Sequence, residues 1–167
     1  MDIDVFESEV LKIEKLLYHV SWSYLGSRED CADAVQEALT RAWKQRDTLR
    51  SLRAFKGWVV QILSHVCQDQ LRRQSKLRFV PLEDSAVTDL KADGSAYSVV
   101  EFLQLLSPEH RVAVVLFYIE GYRISDVAAL LSVPQGTVKS RLTAARACLR
   151  RAAEAGTMQG DVVYEKV

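Results

Sequence analysis

Apolar residues recur three and four positions apart over two long stretches, from Val5 to about Leu71 and again from about Val99 to Leu149. That period marks helices with one buried stripe, and no convincing pair of alternating apolar-polar segments competes with it. Between the stretches, Phe79 to Tyr97 loses the period and gathers Pro81, Asp84, Ser85, Asp93, Gly94 and Ser95, the composition of a connecting segment. The pattern predicts an all-α chain of two small helical domains, over 1–76 and 99–153, joined by a flexible linker over 77–98 and followed by a tail over 154–167.

A hydrophobic share of 49%, with only seven Gly and three Pro, suits packed helices and argues against general disorder. The longest apolar runs, such as Val112 to Ile119, fall far short of the roughly 20 residues a membrane helix needs. The acidic start from Asp2 to Glu14 has no secretion-signal character, so the expectation is a cytoplasmic chain without direct membrane insertion. Cys31, Cys67 and Cys148 sit far apart in apolar helical patterns and are expected to be buried thiols, not metal ligands. His19, His65 and His110 are scattered, and neither a phosphate-binding glycine loop nor a nucleophile motif is present. No catalytic residue, metal, cofactor or small-molecule substrate is therefore expected.

The formal net charge is zero, which by itself argues against a nucleic-acid binder. Its distribution argues otherwise. Leu71 to Arg78 holds four basic residues and no acid, and Pro134 to Ala153 holds five and no acid. Acids gather instead at Asp2 to Glu14 and Glu83 to Glu101. Two basic patches beside acidic segments point to weak binding of free DNA, or to binding that depends on a partner.

In the first domain Val35, Ala38, Leu39, Ala42 and Trp43 line one side of a helix, with Asp33, Glu37, Thr40 and Lys44 on the other. A later helix places Trp58, Val59, Ile62, Leu63 and Val66 inward and leaves Gln61, Ser64, His65, Gln68 and Arg72 as a polar stripe. An ordinary solvated face usually carries Glu and Lys, so Gln, Ser and His leading into Arg72 and Arg73 suit base and phosphate contacts. A plain surface face is also compatible with these residues.

In the second domain Ser107-Pro108-Glu109 reads as a helix start, with a capping hydroxyl, a proline where no amide is needed and an acid at the positive dipole end. Val112, Val115, Leu116 and Ile119 are expected inward, Gly121 ends the helix, and Ser125 is expected to cap the next, whose apolar side is Val127, Leu130 and Leu131. After Ser132-Val133-Pro134, a last helix turns Val138, Leu142, Ala145 and Leu149 inward and offers Gln135, Thr137, Lys139, Ser140, Arg141 and Thr143 outward. A short helix, a tight turn and a basic second helix describe a helix-turn-helix reader of the major groove. An ordinary helical hairpin with a charged exterior is the alternative, weakened by the missing acids.

These residues resemble the extracytoplasmic-function sigma factors of the sigma-70 family, over nearly the whole chain and in the same order. Asp30 to Ala38 followed by Arg41-Ala42-Trp43 is similar to the family's region 2.2. The resemblance implies that Asp33, Gln36, Glu37 and Arg41 dock on the β′ clamp helices of core RNA polymerase. Phe55, Trp58 and the helix through Arg73 resemble the part that recognises and melts the minus-ten element, and Asp47 to Ala54 the loop that captures an unstacked base. It implies minus-ten contacts from Arg50, Ser51, Arg53, Lys56, Gln61, Ser64, His65, Gln68, Arg72 and Arg73. Gly136 to Leu142, preceded by Val133-Pro134 and by Leu105 to Pro108, is similar to region 4. That likeness implies minus-thirty-five contacts from Gln135, Thr137, Lys139, Ser140, Arg141, Thr143 and Arg146, and a domain held by the polymerase β flap. His65, Ala144 and Arg50 to Arg53 depart from common family residues, which bears on promoter preference.

The function implied is that of an alternative sigma factor directing promoter-specific initiation, with core polymerase, promoter DNA and an anti-sigma protein as partners and no chemistry of its own. A conventional repressor or activator would share the helix-turn-helix but would leave the Asp33-Gln36-Glu37 segment without a purpose. A sigma-like decoy binding only a regulator would have no use for Arg72, Arg73, Lys139 and Arg141.

Overall fold

The computed structural model describes residues 1–77 and 99–154, and all regular structure among them is helical. Helix α1 (Ile3–Leu25) begins where the Asp2 carboxylate accepts the Val5 amide at 2.9 Å, and it stops at Gly26. Gly26 adopts φ 67°, a left-handed conformation that glycine enters without a Cβ penalty, and its amide closes the helix on the Trp22 carbonyl at 2.9 Å. Helix α2 (Arg28–Lys44) starts on a Ser27 cap, with Glu29 and Asp30 in its first turn and Arg41 and Lys44 in its last, so both ends complement the dipole. Two single turns of 3-10 helix, Arg46–Thr48 and Leu52–Ala54, lead into α3 (Phe55–Leu77).

These three helices pack around Leu17, Val20, Val59, Val60 and Leu63, each 2% exposed or less. The buried edge of α2 is a ladder of small residues, Cys31, Ala34, Ala38 and Ala42. Their size lets α2 sit close on α1 and α3, and it moves the expected inward residues Val35, Leu39 and Trp43 to the half-buried margin. Phe6 closes one end, its ring edge-on to Trp43 at 5.2 Å and to Phe55 at 5.5 Å.

The second half holds α4 (Val99–Gln104), α5 (Pro108–Val114), α6 (Ile124–Leu131) and α7 (Gln135–Ala152) around Val112, Leu116, Val127, Val138 and Ala145. Pro108 takes the first helical position as expected, but the Ser107 hydroxyl makes no capping bond; the Ser107 carbonyl instead accepts the Arg111 amide at 2.8 Å. From Val115 to Ile119 the helix widens into a π turn, with the Glu120 amide on the Val115 carbonyl at 2.9 Å. The wider turn shifts the inward face, so Ile119 is 51% exposed where the regular period places it in the core. Helix α6 also begins earlier than Ser125. The Arg123 carbonyl accepts the Asp126 and Val127 amides, both at 2.9 Å, leaving Ser125 exposed inside the first turn.

The two halves also pack on each other, α1 against α5 and α3 against α6. Most of the expected linker, from residue 78 onward, and the tail beyond Glu154 lie outside the described residues.

Candidate nucleic-acid interface

Helix α7 carries the more open of the two expected DNA surfaces. Val138, Leu142 and Ala145 anchor its inner side at 3% exposure or less, so Gln135, Lys139, Thr143 and Arg146, three or four apart, share an exposed face with no acid on the helix. Ser140 is exposed and its hydroxyl donates to the Thr137 carbonyl at 2.9 Å; Thr137 is half-buried. Arg146 braces the face, donating to the Thr143 hydroxyl at 3.4 Å and to the Tyr118 hydroxyl at 3.5 Å. Arg141 departs from the outward expectation. Its side chain is 17% exposed and donates to the Glu109 carboxylate at 3.1 Å, because position 141 turns toward the start of α5. The turn between α6 and α7 places Ser132 at φ 54°, ψ 42°, a left-handed cap that aims α7 away from α6.

The minus-ten candidates divide by burial. Arg50, Ser51, Arg53 and Lys56 are exposed around the 3-10 turns, and the Ser51 hydroxyl steadies the loop by accepting the Arg53 amide at 3.3 Å. Arg50, Arg53 and Lys56 border, with Trp58, a cleft of about 720 Å³, whose opposite wall is Tyr122 and Asp126. His65, Arg72 and Arg73 stand exposed farther along α3, where Asp69 accepts from Arg72 at 3.3 Å. Ser64 does not belong to an exposed stripe. It is 4% exposed beside the buried Tyr24 hydroxyl, because α3 packs this side against α1. Gln61 and Gln68 are half-buried, Gln61 donating its side-chain amide to the Ala129 carbonyl on α6 at 3.3 Å. Tyr24 is buried nearby, and desolvation pushes its hydroxyl pKa up against the opposing effect of Gln68.

On α2, Asp33, Gln36 and Glu37 point outward, and Arg41, half-buried, pairs with Glu37 one turn away. These residues lie clear of the Cys31-Ala34-Ala38-Ala42 ladder that seats the helix. Cys31 and Cys67 are buried as expected, and burial raises the Cys67 thiol to about 12. Cys148 is only half-buried, at the edge of α7 beside the Leu105 carbonyl.

Sequence reasoning missed Arg111. Its guanidinium is buried, and no carboxylate pairs with it among the described residues; it donates to the carbonyls of Leu103 at 2.9 Å, Leu106 at 2.9 Å, Ser23 at 3.2 Å and Gln104 at 3.3 Å. Desolvation lowers its pKa. An arginine inside the apolar run that follows Pro108 was the available signal.

Comparison with known proteins places this helical order in the sigma-70 class. The family model described as Sigma-70 region 2 matches residues 10–77, and that described as Sigma-70, region 4 matches residues 97–149. SigM of Mycobacterium tuberculosis, an ECF RNA polymerase sigma factor, is 40% identical over 125 residues, covering 74% of this chain and 64% of SigM. SigW of Bacillus subtilis, also an ECF sigma factor, is 25% identical over 167 residues, covering 90% and 89%. The solved structure of the sigma factor RpoE with the anti-sigma factor NepR from Bartonella quintana shares the fold, with a TM-score of 0.71, 24% identity and coverage of 91% and 98%. The chain belongs to the extracytoplasmic-function sigma factors of the sigma-70 family. It spans less than two thirds of the length of SigM.

Proposed function

We propose that this chain is an alternative sigma factor: it binds core RNA polymerase, directs initiation to particular promoters and assists melting, while the polymerase performs nucleotidyl transfer. The observation that carries the reading is the pairing of two surfaces with different uses in one chain. Helix α7 offers an acid-free face of Gln135, Lys139, Thr143 and Arg146, side chains able to read major-groove edges and hold phosphates. Helix α2 offers Asp33, Gln36 and Glu37, a face unsuited to DNA and suited to a protein partner.

In this reading the α2 face docks on the β′ clamp helices, the second domain engages the β flap, and α7 reads the minus-thirty-five element. The loop from Arg50 to Arg53, with Lys56, His65, Arg72 and Arg73, handles the minus-ten element. The cleft beside Trp58, about 720 Å³ in volume and bordered by Arg50, Arg53 and Lys56, supports that assignment. An anti-sigma protein is the natural inhibitor, a view supported by the NepR complex of RpoE. Work in the cytoplasm follows from the same partners, and no described helix is long and apolar enough to cross a membrane.

The test is multiple-round run-off transcription with core polymerase on templates randomised in both elements, followed by sequencing of the transcripts. Enrichment of one pair of elements at a fixed spacing, dependent on the added chain, is the expected result. Transcription indifferent to the chain removes the proposal.

A further inference from the structure

We infer that Tyr118 extends the DNA surface of α7 onto the π turn, where its hydroxyl and the Arg146 guanidinium together grip one backbone phosphate at the edge of the minus-thirty-five element. This inference rests on the reading of α7 proposed above and adds to it a phosphate site, with Tyr118 as a contact that the helical period does not single out.

The π turn sets the position. Val115 and Leu116 remain in the core at 2% and 0% exposure, while Tyr118 stands 54% exposed on the same widened turn. Phe117, half-buried, meets the Tyr118 ring edge-on with centroids 4.9 Å apart and steadies it. Single π turns inserted in α-helices recur at functional sites.

The hydrogen bonds define what the group can bind. Arg146 reaches across from α7, donating from one terminal nitrogen to the Tyr118 hydroxyl at 3.5 Å and from the other to the Thr143 hydroxyl at 3.4 Å. Both hydroxyl oxygens accept, so each keeps its own proton to donate. A guanidinium has five N–H groups, and those not used here are left to donate as well. No carboxylate pairs with Arg146 among the described residues, and α7 carries no acid. Glu120, close in sequence to Tyr118, is engaged by His19. Neutral hydroxyls thus hold the guanidinium in place without neutralising it, and the donors that converge on one side of the pair suit an anion.

The length of α7 says which anion. Arg146 lies about 16 Å along the helix axis from Gln135 at 1.5 Å per residue. In a helix-turn-helix the N-terminal residues of the second helix meet the base edges, and the major groove is about 12 Å wide and about 8.5 Å deep. With Gln135 and Lys139 among the bases, Arg146 and Tyr118 are at the level of the sugar-phosphate backbone. Arg and Tyr are ordinary phosphate donors there, and such a contact fixes the register of the helix without reading sequence.

The test uses holoenzyme carrying Tyr118→Phe and a promoter duplex taken from the randomised pool, together with duplexes bearing a single neutral methylphosphonate at each position in and around the minus-thirty-five element. The variant should melt like wild type and keep its affinity for core. It should bind the unmodified duplex about threefold to tenfold more weakly, by the same factor when minus-thirty-five bases are altered. The loss should vanish on one methylphosphonate duplex and in an Arg146→Gln background, and Arg146→Gln should lower the slope of log affinity against log salt by about 1. Thr143→Val, which removes the other hydroxyl, should lose its effect on the same duplex. Binding equal to wild type, a loss that survives on every methylphosphonate duplex, or a loss of core affinity in its place overturns the inference alone; the last outcome assigns Tyr118 to a protein partner. A wild-type holoenzyme indifferent to the minus-thirty-five sequence strikes the proposed function and this inference with it.

Discussion

Replacing Arg111 with Met should destabilise the chain more than any other removal of a charged side chain. The guanidinium serves four carbonyls. Gln104 is exposed and its carbonyl can turn to water, whereas Ser23, Leu103 and Leu106 are buried at 0%, 6% and 3% exposure. A buried carbonyl left without a donor costs about 1–3 kcal/mol. The Leu103 carbonyl keeps the Leu106 amide at 3.1 Å, so two of them lose their donor; methionine restores apolar contact along the stem, and loss of a desolvated charge returns part of the penalty. The expected net loss is about 2–5 kcal/mol, a large fraction of the roughly 5–15 kcal/mol by which domains are stable. Arg111→Lys should fall between, since a compact ammonium with three donors cannot span four carbonyls on two helices. Urea unfolding followed by circular dichroism measures both variants, and hydrogen exchange should report faster opening at the end of α1. If Arg111→Met unfolded within about 0.5 kcal/mol of wild type, the guanidinium would not be the element that closes these helix ends.

Other substitutions separate packing from contact. Leu142→Ala, in the core beneath α7, should cost about 2–5 kcal/mol in urea unfolding, while Lys139→Ala on the exposed face should melt normally and weaken minus-thirty-five-dependent transcription by an equivalent of about 1–3 kcal/mol. Glu37→Lys removes only an exposed pair with Arg41, worth at most about 1 kcal/mol, so unchanged melting with a fall in core affinity is expected, and unchanged affinity would remove α2 from the docking surface. Burial raises the Cys67 thiol from 9.0 to about 12, so the folded state keeps this proton where the unfolded chain gives it up. The associated stability is intact below about pH 9 and should decline as pH rises through about 12; Cys67→Ala should flatten that slope in urea midpoints measured against pH.

The helices were legible because their period is strong and long: the core positions Val59, Leu63, Val112, Leu116, Val138 and Leu142 all stand in the spacing and all are buried. Errors came where local backbone chemistry changed the count. The π turn at Val115–Ile119 adds a residue to one turn and carries Ile119 outward, and an early carbonyl closure at Arg123 displaces the cap expected at Ser125. The exposed faces of α2 and α7 followed from periodicity, since a residue opposite a buried stripe has nowhere else to point. The contacts between helices did not. Ser64, Gln61 and Arg141 look like outward polar residues in one dimension, and only packing turns them inward: α1 against α3 for Ser64, α6 against α3 for Gln61 and α5 against α7 for Arg141. Arg111 belongs to the same class, because a lone arginine in an apolar run says nothing about which distant carbonyls it will meet.

The most direct measurement of the central claim is a titration of a fluorescent promoter duplex at near-physiological salt, with and without core polymerase, carrying a base analogue that reports strand opening in the minus-ten element. Non-specific affinity comes largely from released counterions, and a chain of zero net charge gains little of it. Core polymerase supplies what is missing by fixing both domains at the spacing of two elements, so that each contact raises the effective concentration of the other. The account predicts weak binding and no opening by the free chain, and tight, sequence-specific binding with opening once core is added. Tight, specific binding of closed duplex by the chain alone, above all as a dimer, would contradict it and make the protein a conventional regulator.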